Sequence, residues 1–139
     1  MKAIRPLRRK NYKIQGVYNM KYNWIDDFLL SKKGVTKDFQ EDWNWIRYKI
    51  DNKMFVAICL DSDNNTKYIT LKLNPIDGEF FRNSYEDIIP GYYMNKIHWN
   101  SIKADGNVPD SIVKDLLDKS YDEILNKLSK KKRAEILSL

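Results

Sequence analysis

The sequence predicts an α+β fold in a single domain. It combines an antiparallel sheet (a three-stranded meander plus one or two further strands) with an N-terminal helix, a short middle helix and a long C-terminal helix. Three observations carry this. Two apolar-rich runs, 43–50 and 53–60, are separated only by Asp51 and Asn52, which is a hairpin signal. A third run, 67–73, alternates apolar and polar side chains. Between 109 and 128, Ile112, Val113, Leu116, Leu117, Tyr121, Ile124, Leu125 and Leu128 keep helical spacing throughout.

Each element then has its own local reason. Residues 1–21 show no sustained periodicity and read as a basic extension, set apart from the domain at 22–128 and a basic tail at 129–139. A first helix is expected over 24–32, with Asn23 as cap, Asp26 in the first turn and Gly34 as the stop. Its face would bury Trp24, Ile25, Phe28 and Leu29. The polar cluster Asp61-Ser62-Asp63-Asn64-Asn65 turns the chain between the second and third strands. Asn74-Pro75 opens a short helix to about Tyr85, with Phe80, Phe81 and Tyr85 available to pack on the sheet. Residues 88–91 form a loop or edge segment, 96–104 a further strand, and Asp105-Gly106-Asn107 a turn before the last helix.

A chain of 139 residues builds one core without help from disulfides or metals. Its one cysteine, Cys59, lies in an apolar run and reads as a buried thiol of a reducing compartment. No run is long enough to span a membrane and no signal peptide is visible, so a cytoplasmic location and no membrane partner are expected, with a monomer favoured. The net charge of +6 is unevenly spread. Residues 1–21 carry seven basic residues and no acidic one; residues 127–139 carry five basic residues and Glu135. The stretch 22–126 holds 13 basic against 18 acidic residues and is mildly acidic.

The densest chemistry lies at 91–101, Gly-Tyr-Tyr-Met-Asn-Lys-Ile-His-Trp-Asn-Ser, which holds the only histidine, His98. No serine or cysteine in a nucleophile context and no sequence-local carboxylate accompany that histidine, so no enzymatic activity and no cofactor are expected. The loop 61–65 lacks the glycine and the glutamate of a calcium loop. None of the five glycines has phosphate-loop spacing. Asn95, Lys96, His98 and Asn100 carry groups that donate to phosphates or base edges, Trp99 offers a stacking face, and Arg47, Lys49, Lys53 and Lys72 add cations on or beside the strands. Trp24, Trp43 and Trp45 read as core or core-edge residues, which leaves Trp99 as the tryptophan to weigh for function.

The run 90–101, with its Asn-Lys-x-His-Trp-Asn core, resembles the signature of the MmcQ/YjbR family. Trp24-Ile25 to Gly34-Val35-Thr36-Lys37, Trp45-Ile46-Arg47-Tyr48 to Lys53-Met54-Phe55, Ile69-Thr70-Leu71-Lys72, and Val108-Pro109 to Ser120-Tyr121 are similar to it in order and spacing. The resemblance covers about 22–128 and implies a compact domain described as a double-wing DNA-binding motif. On that resemblance DNA is the expected partner, met by the sheet hairpins and the 95–100 segment. The resemblance points to Lys72, Asn95, Lys96, His98, Trp99 and Asn100 as site residues, to which the hairpin and strand cations Lys53 and Arg47 add phosphate contacts. The acidic balance of the middle departs from what duplex binding asks of a protein. The alternative is a small-ligand or protein-binding module with a pocket around His98, Trp99, Tyr92 and Tyr93.

Overall fold

The computed structural model of the chain describes residues 14–91 and 94–139. In chain order the elements are α1 (Ile25–Leu30), β1 (Val35–Gln40), β2 (Trp45–Ile50), β3 (Lys53–Leu60), β4 (Thr66–Lys72), α2 (Pro75–Ser84), β5 (Ile88–Pro90), β6 (Trp99–Lys103), α3 (Asp110–Leu125) and α4 (Lys130–Leu137). The strands form one antiparallel sheet in the order β1-β2-β3-β4-β6-β5.

The predicted meander is present, and its local chemistry explains it. Asp51 and Asn52 both take positive φ, 48° and 62°, the backbone a two-residue hairpin needs to match strand twist. At the next turn Asp61 Oδ1 accepts from the backbone N–H of Asp63 at 2.9 Å and of Asn65 at 3.0 Å. Asn74 caps α2, its side chain accepting from the Asp77 N–H at 2.9 Å, with Pro75 opening the helix.

One sheet face carries the main core. Ile46, Tyr48, Ile58, Ile69, Leu71 and Ile102 meet α1 and α3, which contribute Ile25, Leu29, Leu116 and Leu117. Ser120 of α3 fastens the layers: its hydroxyl donates to the Phe55 carbonyl at 2.9 Å and accepts from the Lys72 N–H at 3.2 Å. Asp26 of α1 is almost fully buried, accepting from the Tyr48 hydroxyl at 2.6 Å and from Lys37 Nζ at 3.0 Å.

Six expectations change. The first helix starts later, with Trp24 rather than Asn23 at the cap position and no side-chain cap bond; Gly34, at φ 77°, does follow it. Residues 35–40 add an edge strand, β1, seen only once β2 offers its backbone. The strand expected at 96–104 begins at Trp99, because residues 95–98 form a turn. The C-terminal tail is helical from Lys130, capped by Ser129, and Ile136 reaches the core. Of the N-terminal extension, residues 14–18 are helical with Val17 buried, whereas 1–13 fall outside the described residues. Phe80 does not pack as expected: it is exposed, while Phe81 is buried.

Candidate functional site

The side chains of a strand alternate between faces, and the pairing register shows what the second face of the sheet carries. Arg47, Ala57, Thr70 and Ser101 lie in one cross-strand row, and Trp45, Cys59, Tyr68 and Lys103 in another. Trp45, Ala57 and Cys59 form a small second cluster against which Met54, Tyr68 and Met94 pack. Met94, in the connection between β5 and β6, folds back against the second face instead of continuing the sheet. Thr70 and Ser101 are buried there and share a hydrogen bond of 2.8 Å, with Cys59 Sγ 3.6 Å from Thr70 Oγ1. Burial pushes the Cys59 thiol up to about 11, the Thr70 hydrogen bond pulling weakly the other way.

Asn95 turns this connection. Its Oδ1 accepts from the Ile97 N–H at 2.8 Å and, more loosely, the His98 N–H at 3.4 Å, while its carbonyl accepts from the Trp99 N–H at 3.0 Å. Gly91 closes the other end, donating its N–H to the Trp99 carbonyl at 2.7 Å. A Cβ at position 91 would lie 2.7 Å from Trp99 Cβ and 2.9 Å from its carbonyl oxygen, neither of which is a flexible end. Gly91→Ala is therefore expected to cost about 2 kcal/mol of folding stability, measured by urea unfolding; an unchanged midpoint would refute the tight crossing.

The eight predicted site residues do not gather at one place. Arg47 sits on the second face but is held by Asp38, Nε to Oδ1 at 2.7 Å and Nη2 to Oδ2 at 3.0 Å, with Lys49 Nζ adding a contact at 2.9 Å. The Arg47 hydrogen bond, with Lys49 assisting, holds the Asp38 carboxyl below its usual range. Lys53 is exposed at the hairpin turn. Lys72 pairs with Trp99 across β4 and β6, and both are half-buried. Asn95 and Lys96 are exposed, Lys96 Nζ donating to the Gly91 carbonyl at 3.2 Å. His98 is half-buried, its Nδ1 buried with no hydrogen-bond partner among the described residues. Asn100 cannot meet a partner as expected. It is fully buried, its Oδ1 accepts from Arg82 of α2, and a Cβ at Gly78 would press on its amide at 3.2 Å.

What the sequence reading missed lies beside Met94. Asp42, Trp43, Trp45, Met94 and Asn95 line an open groove of about 640 Å³ between the β1–β2 turn and the β5–β6 connection. The indoles of Trp43 and Trp45 stand 5.1 Å apart and tilted by 59°. Trp45 is 6% exposed and seated in the second cluster, whereas Trp43 is 55% exposed and is not a core residue. His98 and Trp99 do not line this groove; Tyr92 and Tyr93 fall outside the described residues. Trp43 was recoverable in principle, since an aromatic between Glu41-Asp42 and Asn44 sits in turn chemistry rather than in a strand.

Among the described residues no helix is long and apolar enough to cross a membrane. The profile of the YjbR family matches residues 30–123. The chain is 29% identical over 112 residues to the uncharacterised protein YjbR of Escherichia coli K12, covering 81% of this chain and 93% of that one. Over 62 residues it is 34% identical to the uncharacterised protein YyaQ of Bacillus subtilis, covering 45% of this chain and 52% of that one. The crystal structure of DR2400 from Deinococcus radiodurans, with a DUF419 domain, superposes with a TM-score of 0.75 at 25% identity, over 84% of this chain and 88% of that one. A protein from Pseudomonas syringae shares the fold at a TM-score of 0.58 and 21% identity, over 73% of this chain and 96% of that one. By profile, sequence and fold together, the chain belongs to the YjbR family.

Proposed function

We propose that the chain is a non-enzymatic binding module that takes a small ligand with a flat or apolar group into the groove between the β1–β2 turn and Met94–Asn95. The observation that carries this is Trp43: a large aromatic exposed beside a buried one, facing Met94 across a concavity of small-molecule size. Trp45 is anchored in the second cluster, so the site is built on the sheet and not on loops alone. A neutral probe, benzyl alcohol, is expected to shift the indole N–H resonance of Trp43 and the methyl resonance of Met94 saturably. Trp43→Ala should weaken that binding about tenfold. If benzyl alcohol, a cationic analogue and an anionic analogue all fail to shift either resonance, the reading is wrong.

Nucleic-acid binding is the second reading, favoured by one observation beyond the family resemblance. Lys130, Lys131, Lys132 and Arg133 are gathered in the first turn of a formed helix with no acidic residue among them. Lys53 and Lys72 would add to the field, and neither makes an ion pair among the described residues. Against it, Arg47 and Lys96 are held in internal bonds and Asn100 is buried. Phosphate contacts strengthen as salt falls. Absence of binding to duplex and single-stranded oligonucleotides at low ionic strength would dismiss this reading without touching the first.

A further inference from the structure

We infer that the ligand of the Trp43 groove is a small organic cation, an alkylated ammonium whose methyl groups lie against the exposed indole of Trp43 while its charge faces Asp42. The inference rests on the binding reading above and adds the charge class of the ligand.

Asp42 is the ionisable side chain among those lining the groove. It is exposed and makes no ion pair among the described residues. The neighbouring cations are committed elsewhere. Arg47 and Lys49 converge on Asp38, and Lys96 donates to the Gly91 carbonyl. Among the described residues that line the groove, none is a cation that would offset Asp42.

The remaining lining favours the same sign. Indole faces are the best aromatic surfaces for a cation, because the ring quadrupole puts negative potential over the face. Trp43, 55% exposed, presents such a face, and the buried Trp45 ring stands 5.1 Å from it as its support. The Met94 thioether is soft and polarisable, which suits a diffuse charge. A primary ammonium is less suitable. It is a compact, strongly hydrated charge with three donors to satisfy, and Asn95 Oδ1 is already taken by the Ile97 and His98 N–H groups. One carboxylate and one exposed indole match a cation whose N–H groups are replaced by methyls. A volume of about 640 Å³ holds a small molecule and does not call for a macromolecule.

The test is a titration of the full chain with three probes of one shape class: benzyltrimethylammonium, benzyl alcohol and phenylacetate, read at the Trp43 indole N–H resonance. Benzyltrimethylammonium is expected to bind about five- to tenfold tighter than benzyl alcohol, with phenylacetate weakest. Asp42→Asn, an isosteric change at an exposed turn residue, should bring the cation close to the neutral probe and leave benzyl alcohol unchanged. The thermal midpoint of that variant, measured alongside, is expected to match the parent. Equal affinities for cation and alcohol, or a cation affinity indifferent to Asp42→Asn, overturn the cation assignment while leaving the groove a binding site. Silence of all three probes removes the binding reading itself.

Discussion

Replacing Asp26 with alanine is expected to lower the unfolding free energy by about 2–3 kcal/mol, read as a shift in urea midpoint at unchanged slope. Asp26 is 4% exposed and accepts two bonds inside the fold, from the Tyr48 hydroxyl at 2.6 Å and Lys37 Nζ at 3.0 Å. Tyr48 is fully buried, so without Asp26 its hydroxyl keeps the cost of desolvation and loses its acceptor. Hydrogen bonds to charged groups carry about 1.5–3 kcal/mol each. The Lys37 contact is discounted because its side chain is one-third exposed. The double variant Asp26→Ala, Tyr48→Phe should be less destabilised than the two single changes suggest, since the orphaned hydroxyl is gone. A loss below about 0.5 kcal/mol for Asp26→Ala would show that α1 is not fastened to β2 through this carboxylate.

Stability is also expected to fall as the pH rises above 9. Burial pushes the Cys59 thiol from 9.0 to about 11. Between those values the unfolded chain gives up the Cys59 proton while the folded chain keeps it. The unfolded state then binds fewer protons, so each step up in pH favours unfolding. Across the window the loss from this one group reaches about 2–3 kcal/mol. Tyr48 acts with the same sign at still higher pH: burial first, and then the Asp26 carboxylate, hold its hydroxyl protonated far above its usual range. Urea titrations from pH 8 to 11 on the parent and on Cys59→Ala separate the two. The variant should lose less stability over the window, whatever its starting stability. Parallel curves would mean that Cys59 is not shielded from water. The same shielding predicts a thiol inert to Ellman's reagent at pH 8 until the chain unfolds.

How much of this was legible in the sequence depended on whether the signal was local. The β2–β3 hairpin could be read from Asp51-Asn52, because those residue types tolerate the positive φ that the turn imposes. Asn74-Pro75 marked the start of α2 for an equally local reason, a side-chain cap ahead of a fixed φ. β1 was missed: Lys37, Asp38 and Gln40 carry little strand propensity, and the segment is extended because the β2 backbone lies beside it. Helix α4 looked like a charged tail, since one buried residue, Ile136, is too little apolar pattern to announce a helix.

The site divided along the same line. That residues 91–101 are special was visible from composition, and the resemblance to the MmcQ/YjbR family through Asn-Lys-x-His-Trp-Asn holds as family membership. The direction of each side chain was not visible. An asparagine at 95 and one at 100 read alike in the sequence, yet the first closes a turn at the surface and the second is buried against Arg82. Fold class, hairpin, long helix and family follow from local signals, because periodicity and turn chemistry act within a few residues. The assembled fold is what brings Asp38 to Arg47 and Lys49 and lays Met94 back over the sheet. It alone left Trp43 open above a groove. Those contacts join residues far apart along the chain, and burial, charge pairing and exposure exist only once such residues meet.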